Sequence, residues 1–119
     1  AAKTIDRIID VFPPHQQQQV RVQVSMTLQG VVSQQLVPLV NKKGRVAAVE
    51  IMMATPAIRN LIREGKTPQV NNVIMTSGRS GMRAMDNALA DLYKRGMISL
   101  DDATLYCVDN EYLMRLIRS

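Results

Sequence analysis

Thr55-Pro56-Ala57-Ile58-Arg59-Asn60-Leu61-Ile62-Arg63-Glu64-Gly65-Lys66-Thr67-Pro68 is the most clearly punctuated stretch of the chain. Threonine before proline marks a helix start. The hydroxyl caps a free N–H, and proline at the first helical position gives up a donor that has no partner there. Gly65 closes that helix, and Thr67-Pro68 repeats the start signal. At about 100° per residue, Ala57, Ile58, Leu61 and Ile62 share one face, and Arg59, Asn60, Arg63 and Glu64 the other. The spacing predicts a helix with Ile58, Leu61 and Ile62 packed inward and Arg59 and Arg63 as an outward cationic pair. Those arginines either pair with acids of their own domain or meet a neighbouring subunit or partner.

Upstream, Leu36 to Val40 and Arg45 to Met53 read as two extended runs around Asn41-Lys42-Lys43-Gly44, a hairpin in which Gly44 supplies a positive φ. Pro38 cannot donate to a ladder, so the first strand is short or lies at an edge. Glu50 interrupts an otherwise apolar run. It is either a carboxylate at a strand edge, in solvent or paired with an arginine, or a polar anchor for the domain or a neighbouring subunit. Further back, Pro13-Pro14 opens a long helix from about His15 to Gln35, on the stripe Val20, Val24, Leu28, Val31 and Gln35. Thr4 caps a shorter helix running to Phe12, with Ile5, Ile8, Ile9 and Phe12 on one side.

Downstream, Thr67-Pro68 starts a segment that Gly78 ends. Met82, Met85, Leu89 and Leu92 form a stripe ending at Gly96. Ser99 with Asp102 resembles a capping box, and Asp109 or Asn110 caps a last helix carrying Leu113, Leu116 and Ile117. The expected fold is mainly helical with one small β-hairpin. Residues 1–119 read as a single domain without internal repeat or linker, with 104–119 as a variable tail helix.

At 119 residues and 46% hydrophobic content the chain has enough apolar side chains for a packed core, which excludes a disordered tail. A single cysteine, Cys107, excludes an internal disulfide. No apolar run approaches the roughly 18 residues that span a bilayer. The start, Ala1-Ala2-Lys3-Thr4, lacks a charged head followed by an apolar stretch, so a reducing cytoplasmic location is expected. Without an initiator methionine, the chain reads as a processed product or a piece of something longer.

A net charge of +5 invites a nucleic-acid reading. Yet aromatics are 3% of the chain, and Phe12, Tyr93, Tyr106 and Tyr112 are scattered, so no stacking platform is visible. The cations are spread too: Lys42, Lys43 and Arg45, then Arg59 and Arg63, then Arg79 and Arg83. A solvated basic surface is the preferred reading, with a non-enzymatic module binding nucleic acid or a partner protein as the alternative of another class.

Catalytic chemistry has little to stand on. His15 and Cys107 are far apart and offer neither a metal site nor a Cys–His pair. His15 is read as a surface residue, and Cys107, taken to lie on an apolar helix, as a small core residue. Gly65-Lys66-Thr67 matches the end of a phosphate-binding G-x-x-x-x-G-K-[ST] loop, but Asn60 stands where the first glycine belongs, and a helix precedes it where a strand is required. That match is read as accidental.

Three segments resemble the pilus retraction ATPases of the PilT family, within the type II/type IV secretion ATPase superfamily. They are Ala1 to Pro13; Gly44-Arg45-Val46-Ala47-Ala48 with Glu50-Ile51; and Thr55 to Glu64, whose octet AIRNLIRE looks identical to the family's retraction-associated helix. Ser33-Gln34 with Leu36, and Gly81-Met82 with Met85-Asp86 and Leu89, add weaker support. The resemblance reaches to about Ala103 and implies the C-terminal helical part of a RecA-like P-loop ATPase domain. It implies a parent that works as a cytoplasmic homo-hexamer at the inner face of the inner membrane, using ATP and Mg²⁺ and acting on a platform protein. The family's Walker A loop, Walker B acid, acidic box and histidine box lie before the matching part, so no cofactor and no hydrolysis are expected on this stretch alone. A pilus assembly or secretion ATPase is the nearest alternative. Site residues implied are Ala57, Ile58, Arg59, Asn60, Leu61, Ile62, Arg63 and Glu64, with Arg45, Glu50 and Gln34 as interface or anchor positions. Gln29-Gly30 departs from the family's usual Arg-Ala, and Val49 from its usual histidine, which puts one intersubunit contact in doubt.

Overall fold

A computed structural model describes residues 1–41, 43–78 and 81–119, so the expectations for Lys42 and Arg79 lie outside the described residues. In chain order the elements are α1 (Ala2–Asp10), α2 (Pro14–Thr27), β1 (Gly30–Pro38), β2 (Arg45–Met53), α3 (Pro56–Arg63), a 3-10 turn (Thr67–Gln69), α4 (Val70–Thr76), α5 (Met85–Lys94), α6 (Leu100–Tyr106) and α7 (Asn110–Arg118). The two strands pair as a hairpin. Leu39 N–H donates to Gly44 O at its turn, and Ala54 N–H to Gln29 O at its open end. The expected class, mainly helical with one hairpin, is the observed one.

Two expectations at the front of the chain fail. The long helix to Gln35 stops at Thr27, and residues 30–38 form β1. Leu28 already has extended backbone (φ −67, ψ 130), and Val31-Val32 favours a strand. Gly30 completes the switch: a methyl group there would stand 2.8 Å from Met52 O, so only glycine lets the strands close at this point. The first strand therefore begins six residues before Leu36 and ends at Pro38, while Leu39 and Val40 belong to the turn region. Thr4 does not cap α1, which starts at Ala2 without a side-chain cap.

Contacts divide the chain into two compact units. The first comprises Ala1–Val32 and Ile51–Met82, the second Ser33–Glu50 and Arg83–Ser119. In the first, Ile5 and Ile9 of α1, Ile58 and Ile62 of α3, and Val70 and Ile74 of α4 are buried, three pairs spaced four apart. Ile8, about 100° round the helix from Ile9, and Phe12, beyond the helix end, are exposed. Thr67, itself buried, donates to Asp6 Oδ1 at 2.6 Å and ties the 3-10 turn to α1.

In the second unit Val37 and Ala48 pack with Leu89, Leu92, Ile98, Ala103 and Leu113. Helix α5 begins at Met85, so Met82 is buried outside it, and Gly96 (φ 75) ends it as expected. Ser99 Oγ accepts Asp102 N–H at 3.0 Å, and Asp109 Oδ1 accepts Tyr112 N–H at 3.2 Å. Both expected caps are in place. Cys107 is not within a helix but stands at the end of α6, half-buried. Asp86 at the start of α5 holds the start of α7, and Lys94 at its end reaches Ser119 O at 3.4 Å. Helices α5 and α7 therefore run parallel.

Candidate functional site

Helix α3 is fixed at both ends by local chemistry. Thr55 Oγ1 accepts Ile58 N–H at 3.4 Å, and Pro56 fills the first position. At the other end Gly65 has φ 73; its N–H goes to Ile62 O, and Lys66 N–H goes to Leu61 O. This is the paired-bond ending that glycine permits. It also tests the phosphate-loop match. The N–H groups of Gly65 and Lys66 are spent on carbonyls, and Thr67 points at Asp6, so this turn does not fit a phosphate.

Ile58 and Ile62 are fully buried and Leu61 half-buried, close to expectation, while Ala57 is exposed. The polar face is not uniform. Asn60, Arg63 and Glu64 are exposed, and Arg63 Nη1 donates to Asn60 Oδ1 at 3.1 Å. Arg59 is half-buried and turns to α2, where its Nη1 donates to Ser25 O at 2.6 Å. The outward pair of arginines is thus a single outward arginine. The cause is the packing of α2: Ser25 is fully buried, and its carbonyl lies in the last turn of a helix, where no following N–H reaches it.

Arg45 and Gln34 are exposed on β2 and β1 in the second unit. Glu50, also in that unit, is 5% exposed, on the same inward alternation of β2 as Ala48. Burial removes the reading of a carboxylate in solvent.

Three side chains have roles that sequence reading did not assign. Gln18 donates through Nε2 to Arg63 O at 3.1 Å, and Arg21 lies over Gly65, where an added methyl would meet its Nε at 3.4 Å. The third is Asp86, 1% exposed, whose carboxylate accepts Val108 N–H at 2.7 Å and Asp109 N–H at 2.9 Å. Burial pushes its pKa up, the two N–H groups pull it down, and the charges of Asp109 and Glu50 push it further up. Cys107 is pushed up as well, by burial and then by the Asp86 charge, which keeps it a thiol and a poor nucleophile. Among the described residues no cluster of His, Cys, Asp or Glu has the makings of a metal site.

No family profile matches the chain. It is 48% identical over 103 residues to a twitching motility protein of Neisseria gonorrhoeae, covering 87% of this chain and 28% of that protein. It is 50% identical over 103 residues to the type IV pilus retraction ATPase PilT of Pseudomonas aeruginosa, covering 87% of this chain and 30% of that protein. Among solved structures it superimposes on the pilus retraction motor PilT with bound ADP, at a TM-score of 0.80 and 43% identity, over 97% of this chain and 32% of that one. A chain so alike in sequence and in backbone, spanning about 30% of the length of the relatives it matches, is a homologue of the PilT-type twitching-motility ATPases.

Proposed function

We propose that this stretch is the motion-transmitting part of an ATP-driven motor that retracts type IV pili. ATP and Mg²⁺ are held elsewhere in the motor, a hexamer working at the inner face of the inner membrane, and α3 passes the movement to the pilus platform protein. The observation that carries this reading is the exposed side of α3, Asn60, Arg63 and Glu64, on a helix whose other faces are buried or held by α2. Exposed side chains such as Asn60 and Arg63, whose described bond lies within their own helix, are suited to a contact that forms and breaks. Arg63→Ala in a full-length motor carrying this stretch is expected to change stability by less than about 0.5 kcal/mol and to impair twitching. Normal twitching by that variant defeats the reading.

The 119-residue chain by itself is expected neither to bind ATP tightly nor to hydrolyse it, because the Gly65–Lys66 turn spends its N–H groups within the fold. Phosphate release above a protein-free blank, from scrupulously purified chain, would contradict this.

A further inference from the structure

Helices α2 and α3 lie antiparallel in the first unit, since Gln18 meets Arg63 while Ser25 meets Arg59. Each helix leaves last-turn carbonyls that its own backbone does not use. In α2, Leu28 N–H takes Val24 O, and Ser25 O is the first of those left over. In α3 the glycine ending takes the carbonyls of Asn60, Leu61 and Ile62, and Arg63 O is left over. One leftover carbonyl on each helix is then taken by a side chain of the other: Ser25 O by Arg59 at 2.6 Å, Arg63 O by Gln18 at 3.1 Å. The shorter bond carries a charge, comes from a half-buried donor and reaches a fully buried residue, so it is the stronger of the two.

We propose that Arg59 is a positioning residue: with Gln18 it forms a reciprocal clamp that fixes the pose in which α3 presents Asn60 and Arg63. This rests on the role given to α3 above and divides its two arginines, one locking the helix and the other touching the partner. Because the clamp bonds are side chain to main chain, the identity of the acceptor residues matters little, while donor length and number matter greatly. Lysine at 59 retains a cationic donor; alanine retains none.

The test compares Arg59→Ala, Arg59→Lys, Gln18→Ala and Arg63→Ala. In the 119-residue chain, amide hydrogen exchange in the last turns of α2 and α3 is read. Arg59→Ala is expected to speed exchange about tenfold or more and Gln18→Ala several-fold, Arg59→Lys to restore most protection, and Arg63→Ala to leave it unchanged. In the full-length motor, twitching should follow the same order for Arg59, with Lys recovering what Ala loses, while Arg63→Ala loses twitching at full protection. Unchanged exchange in Arg59→Ala overturns the clamp. Faster exchange with normal twitching, or twitching lost equally in Arg59→Lys and Arg59→Ala, overturns the positioning role. Normal twitching in Arg63→Ala instead removes the proposed contact and leaves the clamp standing, so the two failures are told apart.

Discussion

Asp86 is a carboxylate out of water whose two acceptor oxygens each take a backbone N–H at the α6–α7 junction. Asparagine there keeps one acceptor and turns an amide donor toward an N–H that already donates. Asp86→Asn is expected to destabilise the second unit by about 1–3 kcal/mol, read as a lower melting temperature; a neutral effect would mean that water replaces the lost bond. The pH dependence has a definite sign. The folded-state pKa lies above the ordinary carboxylate value, so this group's contribution is fully present below that value and is lost as pH rises through the raised one. Relative to Asp86→Asn, the native chain should therefore gain stability on acidification from neutrality toward the ordinary carboxylate range. An opposite trend in paired melts would show that the N–H bonds outweigh burial. None of this was legible beforehand. An acid in the first turn of a helix is commonplace, and the N–H groups that give Asp86 its role lie 22 and 23 residues away.

At the scale of elements, what is written locally was readable. Thr55, Ser99 and Asp109 each cap the helix that follows within three residues, and Gly65 and Gly96 end theirs. The α2–β1 boundary was not readable, because Val20, Val24, Leu28 and Val31 happen to keep helical spacing across it. What decides for a strand is the partner β2, more than a dozen residues on, and the close approach of Met52 O to Gly30. Gly30→Ala, which the helix reading predicts to be stabilising, is instead expected to destabilise by about 1–3 kcal/mol through the crowded contact; a chemical-denaturation midpoint that rises would restore the longer helix. The α3 core allows a complementary check. Ile58→Ala or Ile62→Ala should each lose about 2–5 kcal/mol, as fully buried side chains do when truncated. Losses no larger than that of Arg63→Ala would mean that α3 is not anchored as described. The two arginines show the limit of a helical wheel. On the wheel Arg59 lies about 60° from Ile62 and Arg63 about 100°, and the position of α2 is what bonds the first inward while the second stays outside.

For the molecule as a whole, composition led to a packed chain, apolar spacing and caps to a mainly helical one, and the resemblance to the relatives that the chain matches, yet none of these indicated how contacts would divide it. The division into two units has a spectroscopic consequence. There is no tryptophan, and all three tyrosines, Tyr93, Tyr106 and Tyr112, lie in the second unit, as does Cys107; the first holds Phe12 as its aromatic. Tyr112 donates its hydroxyl hydrogen to Asn87 at 2.9 Å, and Tyr93 and Tyr106 pack against the buried cluster. Near-ultraviolet emission, and any label on the thiol, therefore report on one unit alone, whereas far-ultraviolet dichroism sums the helices of both. Ile62→Ala should displace the dichroism melt away from the tyrosine melt, and Asp86→Asn should move the tyrosine melt first. The chain thus carries its own pair of optical channels, one for the second unit and one for both together, without a foreign chromophore.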